Sequence, residues 1–437
     1  MAKQPRRLVF DPSTEELARA LYQDACAGGE HVLKGAGSIE QAMKDENLRR
    51  EFYRQAHMGF ARAQEKIVER LVALEGIKTI KGAPEYIPEE ILLRKAADSI
   101  AWQMLGRQLY IARRLCSHQP PPKLTTSNYL SVLNVARKMS EPEYSTFALM
   151  ADVTTFIHIA DLAVLDSKKG ALSFAEVKEG DKNHRYLDAL HFLAKTPCVH
   201  FLQQFHQEEG KHGIEQLERM AKQAHRMGQV SDILSKGMGE DPFLNQMVHV
   251  PDEPIDVTDW EENLRNVIEN SKARGWAIDV IEDVLFLGAY RGDMQKVGPM
   301  VFGGWFKNSC DGKSFPVLNI MQCMQSPLAL PIFARSIKPE AMFDLLFGRC
   351  RVYLGINLDK LMGLVEARGA KARWATRKES AKIPAQGAVM VDNRAIFFEK
   401  GDAKVTFGDG LLMRMAFHAT NPSSIADVVI RSLEFKA

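Results

Sequence analysis

The sequence predicts an α+β chain, with a helical N-terminal region, a central α/β core and an α/β C-terminal region. Three observations carry that reading. Apolar residues recur at helical spacing from about Glu15 to Cys116. Gln119-Pro120-Pro121-Pro122 then interrupts the pattern, because consecutive prolines cannot continue a helix. From Val153 the composition turns to β-branched and apolar runs separated by short polar loops. The implied regions are 1–120, 121–230 and 231–437.

Each element follows from local pattern. Pro12-Ser13-Thr14-Glu15 reads as a helix entry. Glu46 to Leu74 sets Phe52, Phe60, Ile67, Leu71 and Leu74 among charges, which suits an amphipathic helix. A further helix runs from Pro88 to Cys116, and another covers 127–139. The runs VTTFIHIADLAVLD and ALSFAEVKEG flank Ser167-Lys168-Lys169-Gly170 and read as a β-hairpin. A helix over about 208–227 follows it. Further on, strands are expected at Val280–Tyr290, Val317–Ile320, Arg351–Ile356, Ala388–Val391 and Ala395–Phe398, with helices near 259–273 and 340–347.

Composition narrows the function classes. The 437 residues carry 57 Lys+Arg against 55 Asp+Glu, a formal charge of +2, which excludes a polycation that coats nucleic acid. A local basic patch stays compatible with that total. The six cysteines form no CxxC pair or tight cluster, so reduced thiols are expected rather than a disulfide scaffold or zinc finger. No run of about 18 apolar residues occurs, and the expectation is a cytoplasmic protein with no membrane partner.

The chemistry concentrates in the hairpin. A hairpin symmetric about the Lys168–Lys169 bond places Asp161 opposite Glu176 and Ile159 opposite Lys178. Directly paired residues hold their Cβ atoms roughly 4.5–5.5 Å apart, and the period of two puts Glu176 and Lys178 on one face. Two carboxylates that close repel unless a cation lies between them. Mg²⁺ or Mn²⁺ is the hard, oxygen-seeking ion that suits such a pair and still accepts phosphate oxygens. Asp161 also interrupts the apolar run IHIADLAVL, where an acid is costly without a partner.

On these residues, IADLAVLDSKKGALSFAEVK resembles the catalytic hairpin of the PD-(D/E)xK nuclease superfamily. The resemblance covers about 155–225 and implies a restriction-endonuclease-like core, a mixed sheet flanked by helices. It implies Asp161 and Glu176 as metal ligands, helped by the Val177 carbonyl, with Lys178 assisting hydrolysis. It also implies a supporting polar residue on the following helix, matched to Gln216, with Arg219 as a phosphate contact. Ala160 stands where the family often has Pro or Gly, and the upstream helix acid has only Glu141 and Glu143 as candidates. The activity implied is a Mg²⁺-dependent DNA endonuclease of the kind used in bacterial antiviral defence. An RNase on the same fold and a non-catalytic nucleic-acid-binding or regulatory protein are the alternatives. A homo-oligomer or a partner protein is left open.

Other motifs say less. Lys182, His184 and Arg185 follow the hairpin closely enough to meet a scissile phosphate. ARGAKARWATRKESAK offers Lys371, Arg373 and Arg377 around Trp374, either as a nucleic-acid grip or as a solvated connector. Seven of the twelve histidines fall between 158 and 225 without a compact zinc pattern, and His158 is expected on the face opposite Asp161. Asp311-Gly312-Lys313-Ser314 lacks the first glycine of a P-loop, since Lys307 stands there. The segment Asp252 to Glu262 is acidic and is expected to face solvent or another part of the protein.

Overall fold

A computed structural model describes residues 10–35, 41, 44–78, 87–140, 145–243, 247–249, 257–310, 315–383 and 388–436. The chain is α+β and divides into two units. One comprises Arg19–Asp252, and the other joins Met1–Ala18 to Glu253–Ala437. The regions expected as 1–120 and 121–230 therefore fold mostly as one body, because the helices of the first pack directly on the sheet of the second. Among the described residues every strand pairing is antiparallel, so the expected mixed sheet does not form there.

The unit of Arg19–Asp252 holds most of α1 (Glu15–Ala25), then α2 (Glu30–Gly35), α3 (Glu46–Lys78), α4 (Pro88–Met104), α5 (Leu109–Leu115) and α6 (Tyr129–Ser140). Strands β1 (Thr146–Met150), β2 (Leu162–Asp166) and β3 (Ala171–Ala175) follow and form a sheet in that order. Helices α7 (Asp181–Lys195) and α8 (Val199–Lys236) come next, with the short pair β4 (Met238–Glu240) and β5 (Met247–His249).

The helix expected over Pro88–Cys116 breaks between α4 and α5, where Gly106 and Arg107 adopt φ of 56° and 58°. Helix α8 is longer than expected and carries one non-helical residue, Gly210 at φ 69°.

Helix α3 buries Phe60, Ala63, Ile67 and Leu71 at helical spacing. Its buried Gln64 completes the edge of β1: the amide Nε2 donates to Ala148 O (3.3 Å), and Oε1 accepts from Met150 N (2.7 Å). Helix α4 controls what comes after β1. The carboxylate of its fully buried Asp98 accepts from Thr155 N (2.7 Å), Thr155 Oγ1 (2.6 Å) and Lys95 Nζ (2.8 Å). Arg94 Nη1 donates to Asp152 O (2.8 Å). These bonds draw residues 151–161 into a bent connection, so the strand expected from Val153 begins only at Leu162.

The other unit contains α9 (Glu261–Arg274), β6 (Trp276–Ile281), β7 (Leu285–Arg291), α10 (Met294–Ser309), β8 (Val317–Asn319), α11 (Pro339–Leu346), β9 (Cys350–Ile356) and α12 (Leu358–Glu366). It ends with β10 (Lys371–Trp374), α13 (Arg377–Ser380), β11 (Ile396–Lys400), β12 (Ala403–Thr406), α14 (Asp409–Phe417) and α15 (Pro422–Lys436). Its sheets are β6-β7-β9-β8 and β10-β11-β12.

The single strand expected at Val280–Tyr290 is a hairpin that turns at Glu282 and Asp283, both at positive φ. Val391 and Ala388 form isolated bridges instead of the expected strand. Phe302 and Phe306 of α10 press on β7 and β9 where Gly288 and Gly355 stand, and a Cβ at either glycine would lie 2.6–2.7 Å from a ring. The N-terminal segment belongs here because Phe10 packs edge-on to Phe347 (6.4 Å) and Glu15 accepts from Arg349 Nη1 (2.8 Å). Of the acidic segment, 252–256 lie outside the described residues, and Glu261 faces another part of the protein, buried against Arg335 (3.1 Å).

Replacing Asp98 by Ala removes the carboxylate that balances the buried Lys95 ammonium and fixes Thr155. Denaturant unfolding of D98A followed by circular dichroism is expected to show a loss of about 3–5 kcal/mol.

Candidate active site

The hairpin register is the one read from the sequence: the last ladder pair is Leu162 with Ala175, and the turn is centred on Lys168–Lys169. Regular pairing ends there, and Asp161 and Glu176, the next residues outward, are not a ladder pair. Asp161 N still donates to Ala175 O (3.1 Å), and its carboxylate Oδ2 accepts from Val177 N (2.8 Å). That side-chain bond ends the ladder, and pairing does not extend to Ile159 and Lys178.

Glu176 lies at the centre of the site. Its Oε2 accepts from Lys178 Nζ (3.0 Å), and its Oε1 accepts from Gln223 Nε2 of α8. Burial, and then the neighbouring Asp161 charge, push the Glu176 carboxyl up to about 7, against the pull of Lys178. A third acid, Asp152, lies on the bent connection after β1. Burial and the Asp161 charge raise it too, opposed by Arg94 and by the Ser127 hydroxyl. Ala151 N donates to the Asp161 carbonyl (2.9 Å) and ties the connection to the hairpin. Asn128, at the start of α6, donates to Val177 O (3.4 Å).

Among the described residues, no three His, Cys, Asp or Glu side chains surround a common point as a metal cage. The donor set fits an open-sided ion. Asp161, Glu176 and the Val177 carbonyl are hard oxygens, and burial followed by the Asp161 charge raises Glu176 and Asp152. Such a site leaves coordination positions to water and phosphate oxygens.

The structure brings together Asp161, Glu176, Val177 and Lys178 and leaves other expected residues elsewhere. Gln216 does not reach the hairpin; its Oε1 accepts from Arg219 on the same helix. Gln223, two turns further on and on the same face, makes the contact expected of it, because α8 crosses the end of β3 at that later turn. Arg219, one turn before Gln223, is exposed. Lys182 pairs with Glu209 (3.4 Å), and Arg185 pairs with both Glu208 and Glu209 (2.8 Å).

Lys371, Arg373 and Arg377 belong to the other unit. Arg373 is held by Glu379 and Glu399 (both 2.9 Å), and Trp374 lies under Arg394 (6.0 Å), so the aromatic face is already covered. Lys371 and Arg377 are exposed. His158 accepts at Nδ1 from Ser117 N (3.1 Å), and burial lowers its pKa. Glu141, Glu143 and the segment 311–314 lie outside the described residues.

Asp152, Gln223, Asn128 and Ser127 went unread. Asp152 carried the same signal as Asp161, an acid inside an apolar run, LMADVTTF. Gln223, Asn128 and Ser127 gave no sequence signal. Comparison with protein-family models, with curated proteins and with solved structures finds no match to this chain.

A carboxyl raised from 4.5 to about 7 binds its proton more tightly in the fold than in the unfolded chain. Its contribution to stability is therefore present below pH 4.5 and lost as pH rises through about 7. In chelator, wild type is expected to lose on the order of 3 kcal/mol to this group across that interval. Glu176→Gln is expected to flatten that stretch of the stability–pH curve, as read by thermal melts of both proteins.

Proposed function

We propose that this chain is a metal-dependent phosphodiesterase acting on nucleic acid, and specifically a DNA endonuclease built on a restriction-endonuclease-like core. The observation that carries the reading is the convergence of Asp161 and Glu176 at the open end of one hairpin, with Lys178 bonded to Glu176 (3.0 Å). The order along the chain, α6, then the antiparallel β1-β2-β3 sheet, then α8, agrees with an acid-bearing hairpin followed by a supporting helix.

In this reading Asp161, Glu176 and the Val177 carbonyl would hold Mg²⁺ or Mn²⁺. When bound, the ion supplies Lewis-acid charge to a phosphoryl oxygen and lowers the pKa of water. The protein's own groups do the rest. Lys178 presents an ammonium to the charge that builds on the phosphate as water oxygen attacks phosphorus and the P–O bond to the leaving oxygen breaks. Gln223 fixes the Glu176 carboxylate, and Asn128 orients the Val177 peptide. Arg219 shares the helical face of Gln223 and would meet the backbone beside the scissile phosphate. Asp152 adds a second negative group beside Asp161 that further favours a cation there.

With supercoiled plasmid and Mg²⁺, Lys178→Ala is expected to slow nicking by about 10²–10⁴-fold while binding measured in Ca²⁺ persists. Gln223→Ala is expected to slow it more than Gln216→Ala does. Parallel assays on single-stranded and duplex RNA separate DNase from RNase. A wild-type protein that binds but cleaves neither DNA nor RNA with Mg²⁺ or Mn²⁺ overturns the enzyme reading in favour of a nucleic-acid-binding protein.

A further inference from the structure

The sheet β6-β7-β9-β8 ends in a strand with an unusual edge. Among the described residues no strand pairs with the outer side of β6, a six-residue strand, Trp276–Ile281, with no Pro, Lys or Arg to protect it. Its hydrogen-bonding phase is set at one end, where Arg291 N donates to Gly275 O (2.7 Å). In an antiparallel pair, hydrogen-bonded and non-bonded positions alternate. Gly275, Ala277, Asp279 and Ile281 therefore direct their backbone groups at β7, whereas Trp276, Ile278 and Val280 direct theirs away from it.

The same three residues present exposed apolar side chains, at 39%, 42% and 38% of full exposure. They lie on the face of the sheet against which Phe302 and Phe306 of α10 pack. Backbone donors and acceptors and apolar side chains on one edge thus point to a partner strand laid along β6.

We propose that the partner is a second copy of this chain, related by a two-fold axis through Ile278, so that the two sheets join edge to edge. The register is determined by the strand itself. An axis through Ile278 sets Ile278 opposite Ile278 and Trp276 opposite Val280 of the second copy, and every outward-directed backbone group finds a partner. An axis through Ala277 or Asp279 would leave Val280 or Trp276 without a partner inside the strand, and the latter would also face two Asp279 carboxylates.

Charge agrees independently. Exposed Arg274 precedes the strand, and exposed Glu282 and Asp283 follow it. The same axis places Arg274 of each copy opposite Glu282 of the other. The Glu282 carboxylate is already oriented by Ser423, which donates from N (2.6 Å) and Oγ (2.7 Å). A strand that is apolar on one face, basic at its start and acidic at its end is self-complementary only when it runs antiparallel to itself.

The test is the mass of the full chain in solution by sedimentation velocity and light scattering. A concentration-dependent species of twice 49.1 kDa is expected. Ile278→Lys sets two ammonium groups together on the axis and is expected to shift the population to monomer. Val280→Pro deletes an N–H aimed at the partner, at an edge position that tolerates proline, and is expected to do the same. Arg274→Glu is expected to raise the dissociation constant at least tenfold. Each variant is read beside circular dichroism and a melt matching wild type. Wild type that stays monomeric at every concentration overturns the proposal, as does a dimer that survives both Ile278→Lys and Val280→Pro.

Discussion

One hydrogen bond organises the candidate site: the Val177 N–H donating to the Asp161 carboxylate (2.8 Å). A half-buried carboxylate needs partners, and a strand that ends needs its last backbone donors satisfied. Here each need meets the other. The bond stops the ladder at Leu162–Ala175 and holds Asp161 at the open end of the hairpin. Glu176 is then forced beside it by chain connectivity alone. The crowding of negative charge follows from the register and does not depend on a flexible loop finding its place.

The helices determine what surrounds that bond. Asp98 and Arg94 of α4 take up Thr155 and the Asp152 carbonyl, which bends the connection and brings a third acid beside Asp161. Gln223 of α8 and Asn128 of α6 approach from other elements and bond Glu176 and the Val177 carbonyl. Groups from three helical regions thus fix the connection at Asp152 and Thr155, the Glu176 carboxylate and the Val177 carbonyl. Glu176 shows the consequence. Its carboxyl is lifted by burial and then by Asp161, and Lys178 offsets only part of the lift.

Legibility in the sequence followed the range of the interaction. The hairpin register was readable because Lys168-Lys169-Gly170 and two apolar runs are local signals, and Gly170 does adopt positive φ. The amphipathic helix at 46–74 was readable for the same reason. The bend at 151–161 was not, since it depends on Asp98 and Arg94 nearly sixty residues earlier and overrides a β-branched composition. Gln216 was chosen by distance along the chain, but the turn of α8 that meets Glu176 depends on how α7 and α8 pack through Tyr186, Phe205 and Leu217, which brings in Gln223. The β6–β7 turn was hidden because Glu282 and Asp283 take positive φ without a glycine to announce it. Likewise nothing local reveals that Phe10 and Glu15 belong with Phe347 and Arg349.

The near balance of charge has a structural explanation that bears on how a phosphate backbone would be met. Several cations that the sequence offered are already neutralised within the fold. Lys182 and Arg185 share Glu208 and Glu209, and Arg373 is held between Glu379 and Glu399. A phosphate competing for any of them would have to displace a carboxylate at hydrogen-bond distance. Arg219 differs, because its partner Gln216 is neutral and leaves the guanidinium charge intact. It stands one turn from Gln223, on the helical face that reaches Glu176. The positive charge still available near the hairpin therefore lies along α8, beside the carboxylate pair. That distribution makes the formal charge of +2 a poor guide to local potential. The pairing of each cation decides where an anion can settle.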